Sequence, residues 1–408
     1  MIIKRKMTFT LLSTLLVLTA SFTVVNCGGG SGGSGNPAPV LPVLKSFITS
    51  TSGSGNIATW PDVVSAGPAT GLVAADVVCQ ARAEAAGLPG TFKAWLSDDN
   101  DDAYCRMYGL KGKKAANCGQ SSLPASAGPW VRTDGAPFAE VINKLTDSLA
   151  VLTPARFDEN GNESIFSYYY SGTGADGVAV PGGNNCSGWT DGTGGGRGWI
   201  GSMVGTYRAW SDDTFDLCSD SLRLLCMQTG SGKPLAYLSA GKKVFLTSEM
   251  GTGNLASWPS TTGTGLMGIA AGDAICNARA ASAGLAGTYK AWLSDGTNDM
   301  VSRLTTTTGP WIRLDGVKIA NDKADLIDGT LLTEIIVDEN GNYGLNSGMA
   351  WTGTVSNGTA AADTCTHWTD GSAGSNGTVG YINSIDYSWS GWVQEPCNAP
   401  GNLYCFED

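Results

Sequence analysis

One histidine, His367, is all that this chain of 408 residues contains. A histidine-dependent active site, such as a serine–histidine–acid triad, therefore cannot be built twice in this chain. Charge is scarce as well. Charged residues make up 15%, against about 25% in average soluble proteins, so disorder driven by charge excess is excluded. Basic residues are the scarcer sign, 25 against 36 acidic for a net charge of −11. That balance argues against nucleic acid or another polyanion as the main partner. Beyond residue 25 no stretch is apolar for long enough to span a bilayer. The 57 glycines follow no three-residue period, which excludes collagen. With 16 prolines they predict many turns and loops instead.

What is present begins with an export signal at residues 1–26. Lys4, Arg5 and Lys6 form its basic end, and residues 7–25 an apolar core without a charge. Val24-Val25-Asn26-Cys27 resembles a bacterial lipobox, with Asn26 departing from the small residue usual there. Cys27 is the expected lipidation site. It opens a flexible tether of glycine, serine and proline over 27–43. Three of the 25 basic residues lie in the signal, leaving 22 against 36 acidic and a net of −14. The tether has no basic cluster to hold it on anionic lipid, so acyl chains would do the anchoring.

Of 11 cysteines, Cys27 leaves ten, an even number suited to paired thiols in an exported protein. Their spacing points to a duplication. Cys186 to Cys218 and Cys365 to Cys397 are both 32 positions apart, and Cys218 to Cys226 and Cys397 to Cys405 both 8. Residues 85–98 and 282–295 agree at 11 of 14 positions. Gly128-Pro129-Trp130 recurs at 309–311, the run Asp158-Glu159-Asn160-Gly161-Asn162 at 338–342, and Trp189-Thr190-Asp191 at 368–370. Two copies at so long a period predict tandem globular domains, 44–228 and 242–408, joined by a short linker at 229–241. Cys105 and Cys118 have no counterparts in the second copy and are expected to pair with each other. The four shared cysteines leave three connectivities open.

Within one unit, residues 74–86 read as a helix stopped at Gly87, with a copy at 270–283 stopped at Gly284. The i, i+3, i+4, i+7 spacing of Phe138, Val141, Ile142 and Leu145 predicts a second amphipathic helix, with a copy near 319–327. Strands are expected at 92–96, 130–132, 222–227 and 403–406, and hairpin turns at Asn160-Gly161 and Asn340-Gly341. The stretch between Cys186 and Cys218 reads as a long decorated loop around Trp199 and Trp210. The sum is an α+β unit: two helices on a small antiparallel sheet, with little regular structure in its second part.

These residues resemble the endostatin-like branch of the C-type lectin-like fold, known from the C-terminal domain of collagen XVIII and from spirochaete lipoproteins of unassigned function. The features that carry the resemblance are 86–97 with its Lys93-Ala94-Trp95-Leu96-Ser97, the turn 158–162, Cys186-x-x-Trp189 and Cys218-x7-Cys226. Their copies are 283–294, 338–342, Cys365-x-x-Trp368 and Cys397-x7-Cys405. The resemblance implies nested pairing: Cys79 with Cys226 and Cys186 with Cys218, then Cys276 with Cys405 and Cys365 with Cys397. Endostatin's zinc-binding histidines have no counterpart here, and the negative charge opposes its sulfated-glycan binding.

The remaining candidates are weighed against structural roles. Every cysteine after Cys27 has an expected partner, which leaves no thiol nucleophile. The Asp158–Asn162 run places glycine fourth instead of sixth and lacks a twelfth-position glutamate, so a hairpin explains it better than a calcium loop. Two acidic runs, Asp98-Asp99-Asp101-Asp102 and Asp212-Asp213-Asp216-Asp220, read as solvated surface. Calcium-dependent carbohydrate binding is the alternative, but the sugar-lectin triplets are absent. Trp60, Trp95, Trp130 and Trp189 match Trp258, Trp292, Trp311 and Trp368 and read as core. Trp199 and Trp392 have no matched tryptophan. With Asp212 and Asp213 they are the candidate ligand residues. The expectation is a lipid-anchored protein of the bacterial cell envelope, sorted to the outer membrane, that binds an extracellular protein or glycan without catalysis and without cofactor. A structural envelope protein without a soluble ligand is the runner-up, and an enzyme on a lectin-like fold the second.

Overall fold

The computed structural model of the chain describes residues 41–164, 168–238, 240–343 and 348–408. The expected signal, Cys27 and all but 41–43 of the tether lie outside the described residues. Among those described, no helix is long and apolar enough to cross a membrane.

The first half contributes β1 (Leu44–Ile48), β2 (Phe92–Ala94), β3 (Trp130–Arg132), β4 (Pro137–Ala139), β5 (Tyr168–Tyr170), β6 (Arg197–Ser202), β7 (Thr214–Leu217) and β8 (Arg223–Gln228). They form one sheet in the order β4-β3-β1-β8-β5-β6-β7, with β2 also on β8. The second half contributes β9 (Lys242–Leu246), β10 (Tyr289–Ala291), β11 (Thr308–Arg313), β12 (Lys318–Asp322), β13 (Met349–Trp351), β14 (Asn376–Tyr381), β15 (Val393–Pro396) and β16 (Tyr404–Glu407). Its order is the same, split into β10-β16-β9-β11-β12 and β13-β14-β15. Only the single bridge Ala350↔Asn402 stands where β5 pairs with β8. The sheets are mixed and not purely antiparallel, because β1–β3, β9–β11 and β5–β8 run parallel.

The helix Gly71–Ala85 turns Leu72, Ala75, Cys79 and Ala83, with Ala74 and Val78, into the protein. Its small side chains let it lie close to the sheet. Gly87 ends it in the left-handed region at φ 68°, and Leu88 N–H reaches back to the carbonyl of Ala83. The helix Gly268–Ser282 ends the same way at Gly284. Asp76 ties the helix to β2 by accepting from Ala94 N–H at 3.2 Å and from Lys93 Nζ at 2.9 Å, and Asp273 accepts from Ala291 N–H at 2.9 Å.

Strand alternation sorts the core. In β8, Leu224 and Cys226 face the helix cluster, and Leu225 and Met227 face a second cluster around Trp95, Trp130 and Trp210. β16 does the same with Cys405 against Tyr404 and Phe406. The disulfides are Cys79–Cys226, Cys105–Cys118, Cys186–Cys218, Cys276–Cys405 and Cys365–Cys397.

Two further expectations differ from the structure. The expected helix around Phe138 is shorter, Ile142–Ser148, because Pro137–Ala139 pairs with β3 as a strand. Its copy is mostly β12, followed by the single turn Lys323–Leu326. The stretch between Cys186 and Cys218 is not a bare loop: it holds β6 and β7.

Residues 41–408 cohere as one unit, and the contacts joining the halves come from equivalent segments. Arg156 Nη1 donates to Leu331 O at 3.4 Å, and Arg313 Nη2 to Leu152 O at 3.1 Å. Val204 of the first half packs on the apolar cluster of the second. The linker is held as well: Tyr237 Oη donates to Glu140, and Leu238 N–H to Gly316 O at 3.2 Å.

Candidate functional site

Eleven of the 13 tryptophans are buried. Most give their indole N–H to a fixed partner inside the fold, in matched pairs. Trp95 and Trp292 donate to Ser211 and Ser390 hydroxyls, and Trp189 and Trp368 to the carbonyls of Ser97 and Ser294. The other two are Trp199, which is half-buried, and Trp392, which is exposed.

Trp199 sits on β6 directly opposite Phe215 on β7, ring to ring at 5.8 Å and nearly perpendicular. The sheet is thin here because of Gly198. A Cβ there would lie 3.0 Å from Cys186 Sγ and 3.1 Å from the Tyr170 ring. Tyr170 and Ile200 fill the inner face, and the outer face is left to Trp199 and Phe215. Arg197 lays its guanidinium 4.4 Å from the Phe215 ring centre. Tyr168, Phe215 and Leu217 are all exposed. The Trp199 Nε1 is buried and has no hydrogen-bond partner among the described residues.

Asp212 and Asp213 lie at the tip of the same hairpin. Asp212 is engaged by Arg208 at 3.3 Å. Asp213 donates its N–H to Ile200 O, and partial burial, with the nearby Asp212 charge, lifts its carboxyl above the usual range. Asp220 is raised first by a hydrogen bond shared with Asp216. Both carboxylates also accept from Leu217 N–H, at 3.0 and 3.2 Å, which caps one outward donor of the edge strand.

The second half builds the same three strands and a different surface. Counted from Cys186 and Cys365, Thr378 stands where Trp199 does, Gln394 where Phe215 does, and Trp392 where Asp213 does. Trp392 is 47% exposed and stacks on Tyr381 at 4.9 Å, with Tyr387 exposed nearby on the chain. The structure thus gathers Trp199, Asp212 and Asp213 on one hairpin and places Trp392 on the matching hairpin of the other half. Phe215, Arg197 and Tyr381 complete these surfaces. No local pattern in the sequence singles out Phe215, whose place opposite Trp199 comes from strand register.

The other acidic run is not a solvated face. Asp102 is fully buried and accepts from Lys114 N–H at 2.8 Å and Ala179 N–H at 3.0 Å, while Asp98 closes its own turn by accepting from the N–H groups of Asn100 and Asp101. In the Asp158–Asn162 run, Asp158 accepts from Asn160 and Asn162 N–H. Glu159 turns inward to Ser50, as Glu339 does to Ser248 and Arg279. Among the described residues no group of three or more histidine, cysteine, aspartate or glutamate side chains is placed to hold a metal. His367 is exposed. Two open clefts of about 420 and 400 Å³ lie along the seam between the halves, one over Arg132, Thr153 and Lys318, the other over Glu140, Asp147, Asp315 and Tyr343.

A domain of a family described as "Protein of unknown function (DUF1554)" is found at residues 259–385. No curated protein matches the chain.

Proposed function

We propose that the chain is a lipid-anchored protein of the bacterial cell envelope, held through Cys27, whose two halves are tandem C-type lectin-like, endostatin-like domains over 44–228 and 242–408. Its role is non-catalytic recognition of an extracellular protein or glycan. The hairpins β6–β7 and β14–β15 present the binding faces. The observation that carries this reading is the sorting of tryptophans. The five matched pairs are core, as is Trp351, which stands where the first half has Tyr170, and the remaining two, half-buried Trp199 and exposed Trp392, lie beside a second aromatic ring on the hairpin where the halves differ. Aromatic rings with polar neighbours are the common currency of recognition surfaces.

Residues 41–408 on glycan and matrix-protein arrays test it. Binding is expected, and Trp199→Ala or Trp392→Ala should weaken it at least about tenfold, the usual scale for an aromatic anchor, without moving the melting point. Silence on both arrays, or binding indifferent to both substitutions, defeats the reading.

A further inference from the structure

Glu334 lies at the centre of the seam between the halves and is fully buried. Its carboxylate receives Thr206 N–H of the first half at 3.2 Å on each oxygen, and also meets the Thr206 hydroxyl, itself fully buried. The cation facing it, Arg313, is committed elsewhere. It holds Asp315 in a two-point bond at 3.1 and 2.7 Å and gives Nη1 to the Glu334 backbone carbonyl at 3.2 Å. Among the described residues Glu334 makes no ion pair. From the strand β16 the group that feels its charge is the buried Tyr404. A buried carboxylate without a paired cation is costly, and protonation removes that cost.

The matching place in the other half has no such group. Arg132 donates to Pro154 O as Arg313 does to Glu334 O, so Pro154 is the counterpart of Glu334. Val151 N–H bonds to Thr206 O as Leu331 N–H does to Ile385 O, so Ile385 is the counterpart of Thr206. One of two equivalent contacts has thus become a titratable pair, while its twin is proline and isoleucine.

We propose that Glu334 makes this seam a proton-sensitive joint, closed while its carboxyl is protonated and loosened as it ionises. When protonated, the acid still accepts from the Thr206 N–H and hydroxyl and leaves no uncompensated charge in the buried seam. Burial pushes the carboxyl up to about 8, against which Thr206 and Arg313 work only in part. An opened seam returns Glu334 to water and to its usual value of 4.5. The opening constant therefore rises about tenfold per pH unit between these two values and is level above the upper one. Opening would change how the two aromatic hairpins are presented to one ligand.

Hydrogen exchange of the full chain, corrected for intrinsic rate, tests this at residues 151–157 and 330–337. Between about pH 5.5 and pH 7.5 the opening constant should rise about 100-fold. In Glu334→Gln, whose amide can replace both hydrogen bonds, it should change less than about threefold. Equal pH dependence in the two proteins, or none in either, overturns the proposal. Infrared spectra of the wild type give a reading that does not depend on the variant's folding. A protonated-carboxyl band should persist at about pH 7 and vanish by about pH 9, and its absence at pH 7 also overturns it.

Discussion

Gly201 in β6 and Gly380 in β14 have no room for a side chain: a Cβ on either would collide with the backbone carbonyl of Trp210 or Trp389. Those tryptophans stack on Trp95 and Trp292 at 5.0 and 4.8 Å and sit at the heart of their clusters. The obstacle is backbone, so no flexible side chain can yield to a methyl group. Gly380→Ala should cost about 1–3 kcal/mol, the range for overpacking a tight interior, and Gly201→Ala about the same. Urea unfolding followed by tryptophan fluorescence checks this. A variant as stable as the parent would show that the strand shifts freely, and that the aromatic stack does not fix the position of the outer hairpin.

At the level of elements, the long disulfides do what the sheet alone does weakly. Cys79–Cys226 and Cys276–Cys405 join a helix to the central strand across 147 and 129 residues, whereas Cys105–Cys118 closes only 13. By chain entropy the long closures contribute up to about 5 kcal/mol and the short one about 3. Replacing Cys276 and Cys405 by alanine should therefore lower the stability of the second half more than replacing Cys105 and Cys118 lowers that of the first. Denaturant midpoints of the two double variants check the order, and a reversed order would refute it. These staples were readable in the sequence because identical spacings recur around them, and Gly87 and Gly284 announced the helix ends. The hairpin β6–β7 was not readable. Its strands are short, β6 carries two glycines, and the pairing is set where Tyr170 and the Cys186–Cys218 bridge press directly on Gly198, a contact that no local pattern encodes. The strand Pro137–Ala139 was hidden for a related reason: Phe138 and Ile142 both point into one cluster, which a strand followed by a helix satisfies as well as a single helix does. Of the candidate site, a place in the variable stretch together with the lack of a matched tryptophan singled out Trp199 and Trp392, since the buried Trp351 lacks a match as well, but Phe215 and Tyr381 emerge only from strand register.

For the whole molecule the decisive fact is that, among the described residues, every disulfide stays within its own half, so the seam is held there by non-covalent contacts and by one linker. Equivalent segments, 151–157 and 330–337, meet each other across it, as in an isologous dimer folded into one chain. Arg156 reaches Leu331, Arg313 and Thr333 reach Leu152, and the side chains involved are buried. A protease sequence inserted after the exposed Ala240 would cut the linker and leave the seam untouched. Nicked protein should then elute as one species of the parent's size near pH 5.5, where Glu334 is protonated. Separation into halves at that pH would mean that the linker alone keeps them together. Dissociation that grows with pH in the nicked wild type, and not in nicked Glu334→Gln, would place the loss of cohesion at that carboxyl and not at the many exposed acids of this negatively charged chain.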